Sequence, residues 1–298
     1  MFSIVIPLYN KEGSCERSIN SVLKQIFTEW ELIIIDDGST DNSYLNAKTV
    51  SKNDSRIRII QQENRGVSVA RNNGIKQANY NYIVFLDADD YWTPDFLLTI
   101  SSLINRYPYA GLYATAYTLC YSNGMKVSPK YKFVNDEPEG GILLDYCKSA
   151  FKGAFPIWTG AVCVKKEVLI KVGFFEPGVK RGEDLDVWLK IACFQEIVFI
   201  NKEKSEYHLD TGNNLNLNFS SINESFPYWK WYDYDYKNKA SLFSYTTYII
   251  SEVISRALKN KKYNEVIFCI SKCRGKGVYL KLICFFIKKI YKKVLISK

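Results

Sequence analysis

Cysteine pairs at metal-binding spacing are missing from this 298-residue chain, and His208 is its single histidine. The eight cysteines (15, 120, 147, 163, 193, 269, 273 and 284) are scattered, with only Cys269 and Cys273 close together. No zinc module has that pattern, and scattered thiols read as reduced and cytosolic. No apolar run reaches the roughly 18 residues that a membrane span needs. A strand signature beginning at residue 2 leaves no room for a targeting segment. Where a dinucleotide site would place G-x-G-x-x-G after the first strand, the chain reads Pro7-Leu8-Tyr9-Asn10-Lys11-Glu12-Gly13. Internal repeats, low-complexity linkers and nucleic-acid recognition modules are lacking too, so nucleic acid is not an expected partner.

The charge that is present is unevenly placed. Of the net +9, residues 239–298 supply the whole excess, fourteen Lys/Arg against Glu252 and Glu265, and residues 1–238 are mildly acidic. That asymmetry predicts a body, 1–238, and a basic region, 239–298, with different partners. Within the body, short apolar runs at 2–10, 31–36, 56–61 and 81–86 alternate with segments of helical spacing, such as Ile19, Val22, Leu23 and Ile26. Strands apolar on both faces and separated by helices predict an α/β fold, a mostly parallel central sheet flanked by helices.

Beyond Thr93 the pattern becomes mixed. A hairpin is expected across Ser122-Asn123-Gly124, between strands at 110–122 and 125–134. A strand from Pro156, a helix over 165–172, a helix over 182–194 and a strand over 196–209 follow. Residues 213–240, rich in Asn, Tyr and Trp, carry no clear assignment, and the last sixty residues read as helical throughout.

In an open α/β sheet, ligands lie beyond the carboxyl ends of the strands. Three strands end there in polar punctuation, at Pro7–Asn10, at Asp36-Asp37-Gly38-Ser39 and at Asp87-Ala88-Asp89-Asp90. Carboxylates do not take a phosphate directly, but Mg²⁺ or Mn²⁺ uses one or two carboxylates and fills its remaining positions with water and phosphate oxygens. Each block alone has a plainer reading. A lone D-x-D is a solvated acidic loop, Asp-Asp-Gly-Ser a turn with a helix cap, and Glu183-Asp184 a pair of first-turn acids complementing a helix dipole.

Taken in order, Pro7–Asn10, Asp36–Ser39 with Asp41, Asn64-Arg65-Gly66 with Ala70-Arg71-Asn72, Asp87–Asp90 and Arg181-Gly182-Glu183-Asp184 resemble the family 2 glycosyltransferases of GT-A fold. The resemblance covers roughly residues 2–210 and implies an inverting transferase that uses a nucleotide-diphosphate sugar, most simply a UDP-sugar, and a divalent metal. It implies a nucleotide-binding half, 1–92, and an acceptor half, 93–238. By that analogy Pro7, Tyr9, Asp36, Asp37 and Arg71 form the nucleoside pocket, and Asp87 lies near the ribose. Asp89 ligates the metal, Glu183 orients the acceptor and Asp184 is the general base. His208 is assigned either to the metal and diphosphate or to a structural role. Asp90 is assigned only the capping of the turn before Pro94. Trp158, Trp229 and Trp231 are weighed as sugar-stacking platforms against ordinary packing.

The stretch 281–298 places Ile283, Phe286, Ile287, Ile290 and Val294 at helical spacing, with Lys288, Lys289, Lys292 and Lys293 alongside. A basic amphipathic helix of this kind fits an anionic membrane surface, or else its apolar stripe packs on the body. The expectation is a cytoplasmic enzyme, peripheral at the inner face of the membrane, that extends a glycan or lipid-linked saccharide in surface polysaccharide synthesis. A non-catalytic sugar-nucleotide-binding or scaffold protein is the alternative of a different class. A sugar nucleotidyltransferase would need a glycine-rich first loop, and an aspartyl phosphatase would carry its D-x-D on the first strand rather than the fourth.

Overall fold

The computed structural model describes residues 1–52, 54–209 and 221–273. The first four strands are β1 (Phe2–Leu8), β2 (Trp30–Asp36), β3 (Ile57–Gln61) and β4 (Tyr82–Phe85). They are joined by α1 (Cys15–Leu23), α2 (Ser43–Ser51) and α3 (Val67–Gln77). Then come β5 (Tyr91–Trp92), α4 (Phe96–Arg106), β6 (Leu112–Cys120), β7 (Lys126–Val127), β8 (Gly141–Ile142) and α5 (Tyr146–Lys152). The remaining elements are β9 (Val162–Lys165), α6 (Lys166–Val172), α7 (Glu183–Ala192), β10 (Ile197–His208), α8 (Lys239–Lys259) and α9 (Tyr263–Lys272).

One sheet runs in the order β3-β2-β1-β4-β9-β6-β10-β5, with β7 paired to β6 and β8 to β10. The first four strands in that order are mutually parallel, and β9 enters antiparallel between β4 and β6. Strand alternation sends successive side chains to opposite faces. Val5, Ile33, Ile35 and Phe85 join the core beneath α3, α7 and α8, whereas Ile4, Ile6, Ile34 and Val84 join the core beneath α1 and α4. Burial on both sides explains why β2, Trp-Glu-Leu-Ile-Ile-Ile-Asp, is buried along its whole length. The order 3-2-1-4 also places the carboxyl ends of β1, β2 and β4 on one rim, with Leu8 opposite Asp36.

The second half departs from the sequence expectation in three places. The hairpin forms, with Gly124 in the left-handed region, but its second strand has only two residues, because Pro129 has no N–H to continue a ladder. The strand expected from Pro156 starts only at Val162, after a single 3-10 turn at Thr159–Ala161. Of the unassigned aromatic stretch, the described part forms two more 3-10 turns, Ile222–Glu224, whose first N–H donates to Glu265 of α9, and Tyr228–Asp233, which packs on α8 and reaches α7. Trp231 Nε1 and the Tyr234 hydroxyl both donate to Asp186 Oδ1, at 3.0 and 2.6 Å. Trp231 is fully buried and stacks on Tyr245 of α8, so it belongs to the core and offers no sugar platform. Trp229 packs edge-on against Phe268 of α9.

Helix α8 carries Leu242, Tyr245, Ile249, Ile250, Ile254 and Ala257 into the same core as Trp188 and Phe85. The basic stretch 281–298 lies outside the described residues. Among the described residues, no helix is long and apolar enough to cross a membrane.

Candidate active site at the strand-end rim

The rim is assembled from loops that lock one another. Asp37 N donates to Leu8 O at 2.8 Å, Thr40 N to Asn10 Oδ1 at 2.8 Å, and Lys11 N to the Ser43 hydroxyl at 2.6 Å. Burial pushes Asp41 upward, but the Ser43 hydroxyl and N–H and the Glu12 N–H outweigh it and hold the carboxyl below its usual range. Pro7 closes β1, and Tyr9 just beyond it is exposed at the rim.

Asp36 and Asp37 are buried and occupied. Asp36 accepts from Ser39 N and Gln61 Nε2, and Asp37 accepts from Gln62 Nε2, Arg65 N and Gly66 N. They therefore shape the 62–66 loop as well as the rim. Gly38 has φ +73, and a Cβ there would lie 2.9 Å from Asn64 N, which only glycine avoids.

Arg71, on α3, joins two of the sequence blocks. Its Nη2 donates to Asp87 Oδ1 at 2.8 Å and its Nη1 to Glu183 Oε1 at 3.0 Å, with the guanidinium side chain only 5% exposed. Burial opposes its charge, but Asp87, Glu183 and Asp184 more than compensate and hold it protonated. Glu183 responds oppositely. Burial and the neighbouring Asp184 push its carboxyl up to about 7, because Arg71 is shared with Asp87 and offsets only part of the cost.

That shift has a defined sign. A carboxyl raised on folding contributes stability that is present below its unfolded pKa and is lost as pH rises through the folded one. Relative to Glu183→Gln, the wild type should therefore lose about 3 kcal/mol between about pH 4.5 and 8. Urea unfolding of both proteins across that range measures it, and a pH-independent difference would rule the shift out.

Asp184 begins α7 beside Glu183. It is partly exposed, its Oδ2 accepts from the Thr159 hydroxyl at 3.0 Å and its Oδ1 from Leu185 N at 2.8 Å. The turn into this helix requires Gly182, whose φ is +77 and whose Cβ would fall 2.0 Å from the Tyr228 hydroxyl.

The acidic loop after β4 holds Asp87, Asp89 and Asp90. Asp89 Oδ2 pairs with Lys11 Nζ, and Arg17 Nη2 donates to the Asp89 carbonyl. Asp90 corrects the sequence expectation. It is fully buried, its Oδ1 accepts from His208 N at 2.9 Å, and the helix after Pro94 is started by Thr93 and Asp95 instead. Burial, then the charges of Asp89 and Asp87, push Asp90 well above the usual carboxylate range. Carboxylate oxygens gathered on one loop suit a hard divalent cation, and Asp89, paired with the flexible ammonium of Lys11, is an oxygen donor able to exchange that partner.

His208 ends β10. Its ring Nε2 lies 3.2 Å from Glu206 Oε2, and its backbone N–H is the one bound to Asp90. Trp158 is partly buried, stacked on Tyr207 at 4.8 Å, and precedes Thr159. Sequence reading missed Lys11, Arg17 and Thr159. Lys11 follows the Pro7–Asn10 block directly and was readable from that adjacency. Thr159 has no local signal, because only the fold brings it to Asp184.

Both the sequence and the fold have known relatives. The Glycosyl transferase family 2 profile matches residues 3–142. The putative teichuronic acid biosynthesis glycosyltransferase TuaG of Bacillus subtilis is 31% identical over 192 residues, 64% of this chain and 71% of that protein. The Escherichia coli UDP-Glc:alpha-D-GlcNAc-diphosphoundecaprenol beta-1,3-glucosyltransferase WfgD is 43% identical over 108 residues, 36% of this chain and 42% of that protein. Against other curated relatives the chain spans only 26% to 42% of their length. The crystal structure of S. aureus TarS 1–349 with UDP-GlcNAc superposes with a TM-score of 0.64 at 20% identity, over 87% of this chain and 72% of that one. The shared architecture is the GT-A fold.

Proposed function

The chain belongs to glycosyltransferase family 2, and we propose that it transfers a sugar, with inversion, from a UDP-sugar to a hydroxyl of a glycan or lipid-linked saccharide in cell-surface polysaccharide synthesis. The observation that carries this reading is the Arg71 tie between Asp87 of the acidic loop and Glu183, next to Asp184. One buried cation thereby couples a loop suited to a diphosphate with a carboxylate suited to deprotonate a hydroxyl.

In this reading Pro7 and Tyr9 border the nucleoside pocket, Asp36 and Asp37 hold its loops in place, and Asp87 faces the ribose. Asp89 would hold Mg²⁺ or Mn²⁺. The bound ion would offset the negative charge developing on the departing diphosphate. Asp184 takes the acceptor's proton as its oxygen attacks the anomeric carbon from the side opposite the leaving group. Glu183 orients the acceptor. The donor identity draws support from the UDP-GlcNAc bound by TarS and the UDP-Glc named for WfgD, and the lipid-linked acceptor from WfgD. Membrane-surface contact rests on the charge pattern of 281–298.

Release of nucleoside diphosphate across a panel of sugar nucleotides, with and without Mg²⁺ or Mn²⁺, tests the proposal. Wild type should turn over only with metal, and Asp89→Ala should lose that turnover and the metal-dependent part of donor binding. Metal-dependent turnover retained by Asp89→Ala would overturn the ligand assignment. Failure of the wild type with every donor and acceptor would favour a binding or scaffold role.

A further inference from the structure

We propose that the outer face of α9, with the lysine-rich turn that precedes it, docks on an anionic lipid bilayer. Along α9, Val266, Cys269 and Cys273 turn into the core. At helical spacing that leaves Tyr263, Asn264, Ile267, Phe268, Ser271 and Lys272 on the opposite side, all of them exposed. Tyr263, Ile267 and Phe268 are 58%, 65% and 43% exposed. Single apolar residues are ordinary on a surface, but three large ones on one short face point to a partner.

Charge selects the partner. Residues 258–273 contain Lys259, Lys261, Lys262 and Lys272 against one acid, Glu265. All four lysines are exposed, whereas Glu265 is turned inward, where its Oε2 accepts from Ile222 N at 2.6 Å. Lys261 N donates to Leu258 O and Lys262 N to Ala257 O, at 3.1 and 2.9 Å, and this turn brings both lysines to the Tyr263 end of the face. There Lys261, Lys262 and Tyr263 share the wall of an open hollow of about 270 Å³. At the other end Lys272 Nζ lies 5.2 Å from the centre of the Phe268 ring, on which Trp229 packs edge-on. Aromatic rings edged by lysines suit the headgroup layer, where the rings bury and the ammonium groups meet lipid phosphates. A second copy of the chain would set one lysine rim against another, which disfavours self-docking. The sequence after Cys273 strengthens the match, since 274–298 adds eight Lys/Arg and no Asp or Glu.

The face is also tied to the candidate active site. The turn held by Glu265 leads into Ser225 and Phe226, and Lys180 N donates to Glu224 O at 2.9 Å and Phe226 N to Arg181 O at 2.8 Å. Docked on lipid, α9 would hold the turn that carries Glu183 and Asp184 at a fixed height over the bilayer. That consequence rests on a lipid-linked acceptor; the docking itself does not.

Co-sedimentation of the full-length protein tests this, using vesicles of phosphatidylcholine with about one-third phosphatidylglycerol and vesicles of phosphatidylcholine alone. Wild type should bind the anionic vesicles and largely miss the neutral ones. Lys261→Gln/Lys262→Gln should weaken binding about 5-fold per lysine removed, and Ile267→Glu at least about 10-fold, both with unchanged circular dichroism. A third variant, Lys288→Gln/Lys289→Gln/Lys292→Gln/Lys293→Gln, separates this face from the 281–298 stretch. Binding lost in that variant but kept at the wild-type level in both α9 variants would overturn the proposal and leave membrane contact to 281–298. The reverse pattern would support α9 and remove 281–298 as the contact. Absence of wild-type binding to anionic vesicles would overturn both. A wild-type dimer in sedimentation velocity that Ile267→Glu dissociates, with vesicle binding unchanged, would make the face a self-contact and also overturn the proposal.

Discussion

Asp184→Asn should lower kcat for sugar transfer by about 10²–10⁴-fold, the usual contribution of a general base, while leaving donor binding near the wild-type value. The substitution is isosteric and keeps an acceptor oxygen for Leu185 N, so α7 should start as before. What is lost is the ability to take a proton. The competing base is Glu183, one residue away and raised to about 7, a value well placed for proton transfer near neutral pH. Its position argues against it. Glu183 is 8% exposed and committed to Arg71, whereas Asp184 is partly open and, among the described residues, accepts from a hydroxyl and a backbone N–H. Steady-state kinetics of Asp184→Asn and Glu183→Gln, with donor affinity measured separately, distinguish the two. A full loss in Glu183→Gln with near-normal kcat in Asp184→Asn would reverse the roles.

The first ninety residues were legible because local pattern and tertiary placement coincide there. Strands β1, β2 and β4 are buried on both faces, so an apolar run marks each, and each is followed by polar residues at the same rim, whereas the edge strand β3 is only partly buried. The second half was less legible for a physical reason. Strands β7 and β8 have two residues each, too short to leave a periodic signal, and Asp186, Trp231 and Tyr234 meet only through the fold. Asp90 shows the same limit within a recognised motif. Its spacing is that of a turn residue, and only pairing with β10 reveals a buried strut for His208.

Arg71→Met should be the most destabilising single change at the rim, costing about 3–5 kcal/mol, the range for removing one partner of a buried ion pair. Methionine fills much of the same volume, so the loss measures charge rather than packing. Without the guanidinium, Asp87 and Glu183 face each other's field uncompensated, and Glu183 is buried where water cannot replace the lost bonds. Protonation limits the damage. Glu183 already lies near 7 with Arg71 present, and removing that cation moves it further up, so the variant should be least impaired in acid and lose stability as pH rises. Adding Glu183→Gln removes the orphaned charge and should recover part of the loss above neutrality, with little effect in acid. Urea unfolding of the single and double variants at pH 5 and pH 8 provides the measurement. A loss that does not vary with pH, or a double variant no more stable than Arg71→Met at pH 8, would mean that Arg71 acts by packing and that the acidic loop and the Glu183–Asp184 turn are not held together by charge.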